Sequence, residues 1–211
     1  MFYPVYVQAR RRQFVNKPYI IFSMYAGIIL PDKGEEKMIR GRFLSSRDDI
    51  TPVIELRRKV FCDELGFPRE NEPDIYDGMS FYALVFDDDN NPIGTGRLCI
   101  EDDRITIGRV CVLKEWRGRQ IGDFIMRMLL YRAQELNAGS VTLTARADKL
   151  NFYAKYGFEP IGDLIDSGDV AQRMMRVEGD RINIEGSCHC NNSCQGCEGN
   201  CDACQDGQKN V

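Results

Sequence analysis

The sequence contains a single histidine among its 211 residues. That residue, His189, lies in a cysteine-rich segment near the C-terminus. Mechanisms that need a histidine in the folded core, as a general base or to activate a nucleophile, are therefore excluded.

The chain also has little excess charge and no long apolar run. Its 28 lysines and arginines nearly balance 32 aspartates and glutamates, for a net charge of −4, which gives no general reason to expect a nucleic-acid partner. No apolar run approaches the roughly 20 residues that span a bilayer, so no membrane partner is expected. A hydrophobic content of 43% is enough for one full-sized core.

The first 37 residues differ from the rest of the chain. Arg10–Arg12 precede an apolar segment, Ile20–Leu30, as in a secretory signal, but a proline ends the run and no small-residue cleavage site follows. Lys33–Met38 can be encoded by a purine-rich ribosome-binding site directly ahead of a start codon. We therefore hypothesise that Met38 is the true start and that residues 1–37 are mostly upstream sequence; an added strand or helix is the alternative.

Residues 38–178 carry the regular hydrophobic patterns. Met38–Ser45 alternates like a strand, and a helix capped by Ser45 or Ser46 is predicted to end at Gly66. The apolar stripe of that helix is predicted to be Ile50, Ile54, Phe61 and Leu65.

The following segments predict three strands in an antiparallel meander, then a helix that begins near Ile121 and is stopped by Gly139. A strand, a short helix and two closing strands complete the order. The predicted fold class is α+β (mixed α/β): a single domain with a central, mostly antiparallel sheet and helices on both faces.

A small, positively charged turn connects the last meander strand to the long helix. It contains Gly118 and Gly122 together with Arg117 and Arg119. A helix N-terminus offers unpaired N–H groups and the positive end of its dipole, and glycines let the backbone approach an anion. The turn therefore indicates phosphate or pyrophosphate binding, with an ordinary tight turn as the alternative.

Residues 38–177 resemble the GNAT superfamily of acyl-CoA-dependent N-acyltransferases. "RGRQIG" (Arg117–Gly122) is similar to the pyrophosphate loop of that family, Arg/Gln-x-x-Gly-x-Gly/Ala, and "NFYAKYGF" (Asn151–Phe158) is similar to its Tyr-x-Lys-x-Gly-Phe segment. "RRKVFCDELGFP" and "IGTGRL" resemble one bacterial branch. One departure is Gln120, which stands at the first glycine of the loop pattern and can weaken or reorient cofactor binding.

The resemblance implies acetyl-CoA as co-substrate, bound where two strands splay apart. The residues that it places at the cofactor are Val110, Cys111, Val112, Arg117, Gly118, Arg119, Gln120, Ile121, Gly122 and Asp123. A backbone N–H of Cys111 or Val112 would polarise the thioester carbonyl while an amine attacks it directly.

Tyr153 holds the family position of the general acid that protonates the leaving thiolate. A phenol, with an ordinary pKa of about 10, can protonate a thiolate whose conjugate acid has a pKa of about 8.5 when it lies within hydrogen-bond reach; packing alone is the other role for Tyr153. Among the acidic residues of the loop before the meander, Glu72 ranks first as general base, ahead of Asp74 and Asp77. A covalent acyl-cysteine at Cys111 is disfavoured, because no core histidine can activate the thiol.

The last segment, residues 179–211, has too few apolar residues for a core of its own. Its cysteines form C-x-C and C-x2-C pairs whose thiolates can chelate zinc, copper(I) or an iron–sulfur cluster. The predicted ligands are Cys188, Cys190, Cys194, Cys197, Cys201 and Cys204. Disulfides and a tail of free thiols are the alternatives, and Cys62, Cys99 and Cys111 are expected to be small buried thiols.

The sequence therefore predicts a cytoplasmic N-acetyltransferase whose acceptor is an amine of a small molecule or a protein, with a homodimer left open. The alternative is a catalytically weak acyl-CoA-sensing domain coupled to a metal- or redox-responsive tail.

Overall fold

The structure, a computed structural model, describes residues 25–32, 35–101, 104–165 and 171–184. Within these ranges the chain forms one eight-stranded sheet and three α-helices. The strands are β1 (Tyr25–Asp32), β2 (Glu35–Ser45), β3 (Ser80–Phe86), β4 (Pro92–Glu101), β5 (Arg104–Val112), β6 (Ser140–Arg146), β7 (Glu159–Ile165) and β8 (Gln172–Glu178). The helices are α1 (Thr51–Arg57), α2 (Ile121–Glu135) and α3 (Leu150–Ala154).

The sheet follows the order β1-β2-β3-β4-β5-β6-β8-β7. Its neighbouring strands are antiparallel, except that β5 and β6 are parallel. Because α2 lies between β5 and β6 in the chain, it supplies the crossover that a parallel pair requires.

Two hydrophobic cores lie on opposite faces of the sheet. The larger one is covered by α2, whose residues Phe124, Ile125 and Leu129 pack with residues of β2 to β6 and of β8. The smaller one is covered by α1, through Val53 and Leu56. The predicted fold class, a mixed α/β fold with a mostly antiparallel sheet covered on both faces, is confirmed.

The first helix differs from its prediction. It begins at Thr51, not after Ser45 or Ser46, and Ser45 instead hydrogen-bonds to Asp48. After Arg57 the chain continues as a π-helical segment, Arg58–Glu64, in which the N–H of Leu65 donates to the carbonyl of Val60.

The wider π-helical turn rotates the later residues out of the predicted stripe. The buried apolar residues are Val53, Ile54, Leu56, Val60 and Cys62, whereas Leu65 is 45% exposed. Of the predicted stripe, only Ile54 is fully buried. The long helix α2 also stops earlier than predicted: it ends at Glu135, and Asn137, not Gly139, adopts the left-handed conformation that follows it.

Two glycines in β4 allow α2 to lie close to the sheet. A Cβ added at Gly94 would lie 2.9 Å from Cδ1 of Ile125, and one at Gly96 would lie 2.7 Å from Cγ2 of the same residue. The "IGTGRL" glycines therefore serve helix packing.

The N-terminal hairpin β1–β2 forms one end of the sheet order, with Ile29 paired to Met38. Strand β2 begins at Glu35, so the predicted domain boundary at residue 37 falls inside a strand. The proposal that Met38 is the start codon stays a prediction. In the described part of the chain, no helix is both long enough and apolar enough to cross a bilayer.

Candidate active site

A bulge interrupts β5 where it pairs with β4. Gly108 lies opposite Arg97 and Cys111 lies opposite Thr95, so Arg109 and Val110 together face the single residue Gly96. Arg109 has φ of +53°, in the left-handed region. Two residues against one, the first with a left-handed backbone, define a β-bulge.

The bulge changes which face of the sheet each later residue of β5 occupies. Before it, Ile105 and Ile107 belong to the core under α2; after it, Val112 belongs to that core and Cys111 faces the core under α1. Without the extra residue, strict alternation would reverse these last two positions.

Beyond the bulge, β5 separates from β6. The parallel pairing joins Ile105–Ile107 to Val141–Leu143, while β6 continues to Arg146 beside β8. Within the described residues, Gly108–Val112 therefore have no ladder partner on the β6 side. Apart from the carbonyl of Val112, which accepts a hydrogen bond from Arg117, the backbone groups that point to this edge are available to a ligand that pairs like a strand.

The turn after β5 leads directly into α2. A single 3₁₀ turn, Lys114–Trp116, is followed by Gly118 with φ of +75° and Gln120 with φ of +60°. Gln120 is the N-cap of α2 and its side chain caps none of the first N–H groups. The free N–H groups of the first helical turn form the kind of anion site that the sequence predicts.

Gln120 has a left-handed backbone conformation, which glycine adopts most easily. This explains why the family pattern has a glycine at this position. A non-glycine residue in the left-handed region costs on the order of 1 kcal/mol. This turn is therefore held by its surroundings against a local strain.

Arg117 is already bound by protein groups. Its Nη1 and Nη2 atoms each lie 2.6 Å from a carboxylate oxygen of Glu64, and its Nε donates to the carbonyl of Val112 at 3.0 Å. The hydrogen bonds from Arg117 hold the pKa of Glu64 below its usual value. Arg119 lies over the ring of Trp116, 5.0 Å from its centroid.

Cys111 is buried, and burial raises the pKa of its thiol to about 12. A thiol with that pKa stays protonated at neutral pH and is a poor nucleophile. The contacts of Cys111 thus favour a packing role for its side chain, and its backbone is paired with Thr95 of β4.

Helix α3 and the turn that follows it carry the two tyrosines of the predicted acyltransferase segment, Tyr153 in the helix and Tyr156 in the turn. The ring of Tyr153 makes edge-to-face contacts with Phe152 and Phe158, with centroids 5.0 and 6.4 Å apart. Burial raises the pKa of Tyr153 to about 12, so its phenol is protonated at neutral pH. Tyr156 is fully buried, and its hydroxyl donates to Oδ1 of Asp123 at 2.6 Å.

Asp123, predicted to contact the cofactor, turns its side chain towards α3. Its carboxylate lies 2.7 Å from Nζ of Lys155 and 2.6 Å from Nε of Arg127, besides the bond from Tyr156. Burial raises the pKa of Asp123, but Lys155 and Arg127 outweigh this and hold it below its usual value. The side chain of Asp123 joins the start of α2 to α3, and its backbone remains in the first turn of α2.

Six charged side chains, three of them from the loop of residues 67–79, form a network that is buried except at its edge. The network consists of three arginines and three carboxylates, Arg57, Arg97, Arg109, Glu72, Asp74 and Asp77. Its formal charges cancel, as buried ion pairs require.

Arg57 lies at the centre of the network and is fully buried. It contacts Glu72, and its Nη1 and Nη2 atoms lie 2.6 and 3.1 Å from the two carboxylate oxygens of Asp77. Arg97 binds Asp74 at 2.5 Å and Asp77 at 3.1 Å. Burial raises the pKa of Asp77, but the hydrogen bonds from Arg57, the backbone N–H of Asp74 and Tyr82, with the charge of Arg57, together outweigh it and hold the pKa at about 2.

Glu72, the predicted general base, belongs to this network. Its carboxylate contacts Arg57 and lies 2.7 Å from Nε of Arg109, and only 2% of the residue is exposed. Such a carboxylate reaches a substrate amine only if its ion pairs open. These contacts favour a structural role, and general base catalysis by Glu72 stays a prediction.

The sequence reasoning missed the three arginines. One signal was available for Arg57, which lies three residues after Ile54 and four after Val53 and therefore shares the buried face of α1. An arginine on a buried helix face, followed by an acidic loop, indicates a buried ion pair. No pattern in the sequence marks Arg109 as a bulge residue.

The six cysteines of the predicted metal site lie outside the described residues. Among the residues that the structure describes, no group of three or more histidine, cysteine, aspartate or glutamate side chains is placed to hold a metal ion. Cys62, Cys99 and Cys111 are buried free thiols, as predicted.

The open edge of β5, the helix-start turn and the partly buried phenol of Tyr153 all lie within one stretch of the chain that matches a known family. Residues 80–160, from β3 into β7, match the family model described as acetyltransferase (GNAT) domain. The chain is 29% identical over 133 residues to the uncharacterized N-acetyltransferase YjcF of Bacillus subtilis. The aligned residues make up 62% of this chain and 94% of that protein.

Solved structures share the fold. An acyl-CoA N-acyltransferase from Pseudomonas aeruginosa superposes with a TM-score of 0.61 at 23% identity, covering 66% of this chain and 99% of its own. Escherichia coli ElaA superposes with a TM-score of 0.62 at 24% identity, and the match covers 67% of this chain and 100% of the ElaA chain. At under 25% identity, these two structures show that the fold is shared, and the family model matches the part of the chain from β3 into β7.

Proposed function

We propose that the protein is an N-acetyltransferase that transfers an acetyl group from acetyl-CoA to a primary amine of a small molecule or protein by direct attack. The observation that carries the proposal is the unpaired edge of β5 beyond its bulge, which is followed by one short turn and then by the start of α2, where an anion can bind. A linear ligand with a pyrophosphate at one end and amide groups along its arm matches both features.

The chain would hold the two parts of acetyl-CoA with backbone groups. N–H groups between Gly118 and Gly122 would bind the pyrophosphate, and the edge of β5 would bind the amides of the pantetheine arm. A β5 N–H at Cys111 or Val112 would then polarise the thioester carbonyl.

Tyr153 would act on the sulfur that leaves. Burial raises the pKa of Tyr153 to about 12, so its phenol is protonated and can donate to the leaving sulfur, either as a hydrogen bond or by complete proton transfer. A charge-assisted hydrogen bond from the phenol to the developing thiolate contributes about 1.5–3 kcal/mol without that transfer. We therefore assign Tyr153 the stabilisation of the leaving sulfur.

The amine would enter through a cleft of about 570 Å³ beside loop 67–79, which is lined by Phe67, Glu70, Asn71, Glu72, Pro73, Asp74, Ile75 and Arg109. Because the carboxylate of Glu72 is held by two arginines, we propose that water in this cleft takes the proton from the incoming ammonium.

A thiol-release assay tests the proposal. The full chain is incubated with acetyl-CoA and a panel of amines that includes diamines, aralkylamines and lysine-containing peptides, and binding of acetyl-CoA is measured in parallel by calorimetry. Release of CoA that depends on one of the amines is the expected result. Failure to bind acetyl-CoA would contradict the proposal.

A second candidate is an acyl-CoA-sensing domain with little catalysis. Two observations favour it: Gln120 occupies the left-handed position of the turn, and Glu64 neutralises Arg117. Acetyl-CoA binding without turnover of any amine would support this candidate over the enzyme.

Metal binding by the cysteine tail also remains a proposal. Elemental analysis of the anaerobically purified full chain, compared with a chain truncated after Gly186, tests it. Bound zinc, copper or iron in the full chain alone is the expected result, and a metal-free full chain contradicts it.

A further inference from the structure

Arg109 occupies a backbone conformation that arginine seldom adopts. It is the first of the two residues that face Gly96 in the bulge, and its φ is +53°. Non-glycine residues in this region cost on the order of 1 kcal/mol and persist where surrounding contacts fix them.

The contacts that fix Arg109 come from its own side chain. Nε lies 2.7 Å from Oε1 of Glu72, Nη2 lies 3.0 Å from Oδ2 of Asp74, and the guanidinium lies over the ring of Phe61 at 5.9 Å. Two of these partners belong to loop 67–79 and the third to the π-helical segment. The bulge and the loop are therefore joined through one side chain.

The carboxylates that hold Arg109 are rigidly placed. Glu72 also contacts Arg57, and Asp74 also binds Arg97, whereas Arg58 donates from its Nε to the carbonyl of Glu72 at 3.0 Å. Glu72 and Asp74 each bind Arg109 and one further arginine, so a displacement of either carboxylate would also move its arginine partners. A displacement of the loop would thus be transmitted to the bulge.

Arg109 also lies between the two substrate regions of the proposed reaction. Its backbone belongs to the unpaired edge of β5, and its side chain, 33% exposed, lines the cleft of loop 67–79 together with Phe67 and Ile75. No other residue that lines this cleft belongs to the described part of β5.

We infer that Arg109 is a positioning residue, which sets the distance and angle between the amine entering beside loop 67–79 and the thioester carbonyl held by β5. The inference rests on the proposed acyltransferase function. Arg109 itself donates no proton and forms no bond in the reaction. It fixes the geometry of approach, on which the rate of a two-substrate reaction depends strongly.

Three variants separate the role of the backbone from that of the side chain. Arg109→Gly accepts the left-handed backbone but lacks the ion pairs, Arg109→Ala loses both, and Arg109→Lys keeps the charge but cannot bridge Glu72 and Asp74. Arg176→Ala is the matched control, because Arg176 forms an exposed ion pair with Glu178 on β8, away from loop 67–79.

Each variant is measured for acetyl-CoA affinity, for kcat and KM of the amine, and for amide hydrogen exchange. Arg109→Gly is expected to bind acetyl-CoA within about threefold of the wild type, while kcat/KM for the amine falls at least tenfold, equivalent to about 1.4 kcal/mol. Exchange should accelerate both in Gly108–Val112 and in loop 67–79, and Arg176→Ala should change none of these quantities.

Several outcomes would overturn the inference. One is a normal kcat/KM in Arg109→Gly; another is an equal loss of acetyl-CoA affinity and amine turnover, which would indicate general damage. If Arg109→Gly fails to fold, a double-mutant cycle of Arg109→Lys with Glu72→Gln replaces it: non-additive effects on kcat/KM support the inference, and additive effects overturn it.

Failure of the proposed function is distinguishable, because it appears in the wild type as the absence of amine-dependent CoA release, with or without acetyl-CoA binding. In that case the amide hydrogen exchange of the Arg109 variants alone tests the positioning role. Coupled acceleration in the bulge and the loop of an Arg109 variant supports a positioning role, and acceleration confined to the loop contradicts it.

Discussion

Arg117 and Glu64 form a bidentate ion pair, with both nitrogen–oxygen distances at 2.6 Å, between the turn after β5 and the π-helical segment after α1. The arginine that the sequence assigns to phosphate is thus neutralised by a carboxylate 53 residues earlier in the chain. Its guanidinium ties the end of β5, through the carbonyl of Val112, to the π-helical segment.

Glu64→Gln should strengthen acetyl-CoA binding. The amide keeps the shape of the side chain but removes its negative charge, so the positive charge of Arg117 is no longer cancelled at the turn. We expect an affinity about threefold higher at low ionic strength, with a smaller gain in high salt because both groups are partly exposed. Titration calorimetry at two salt concentrations measures the change, and an affinity that is unchanged at low salt would show that Arg117 does not act on the ligand.

Gly122→Val should weaken acetyl-CoA binding by tenfold or more, about 1.4 kcal/mol. Gly122 is a buried residue of the first turn of α2, where the backbone is proposed to approach the pyrophosphate. Circular dichroism must show that the variant is folded. Unchanged affinity in a folded variant would contradict the phosphate role of the turn.

Tyr153→Phe should lower kcat by tenfold to a hundredfold, the loss of one hydrogen bond of about 1.5–3 kcal/mol to a charged atom, while acetyl-CoA affinity stays constant. Because the pKa of Tyr153 is about 12, activity should show no decline attributable to this group below about pH 10. A steady-state pH profile of both proteins checks the two statements. A normal kcat in Tyr153→Phe would show that the phenol does not act on the leaving sulfur and that Tyr153 has only a packing role.

Asp77 should make the protein sensitive to acid. Its pKa falls from an ordinary 3.8 to about 2 in the fold, so its stabilisation is fully present above about pH 4 and is lost as the pH drops through about 2. The difference corresponds to about 2 kcal/mol in the free energy of unfolding. Urea titrations between pH 5 and 2 should show this loss in the wild type. If the free energy of unfolding of Asp77→Asn falls with pH as steeply as that of the wild type, the loss does not come from Asp77.

Gly96→Ala should destabilise the fold by about 1–3 kcal/mol, because the added methyl would overpack against α2. It would lie 2.7 Å from Cγ2 of Ile125 and 2.8 Å from Cδ1 of Leu129. Gly139→Ala is the matched control, since nothing lies within 4 Å of its added Cβ. Thermal unfolding measures both variants, and the melting temperature of Gly96→Ala should be the lower one. Equal melting temperatures would contradict close packing at Gly96.

The sequence predicts the framework of this protein because hydrophobic periodicity encodes it. Ile121, Phe124, Ile125, Met128 and Leu129 repeat at helical spacing and are all buried in α2. The turn and the helix start are equally readable, because glycines and arginines mark them locally.

The charge network could not be predicted, since its contacts join positions far apart in the chain. Arg57 and Asp77 are 20 residues apart, and the bulge at Arg109 appears only once β4 and β5 are paired. The π-helical segment likewise shifts the buried face of α1 without a local signal. These features depend on tertiary context, which single-sequence periodicity does not contain.

The separation of β5 from β6 has a consequence for the lifetime of the protein in a cell. If acetyl-CoA lies in that gap, it completes the sheet and binds the native state alone, so the free energy of unfolding rises with donor supply, by about 2.7 kcal/mol at a hundredfold excess over Kd. Proteases that act on the transiently opened chain would then degrade it faster when the donor is scarce. The abundance of the protein would follow the metabolic state of the cell without any separate regulator.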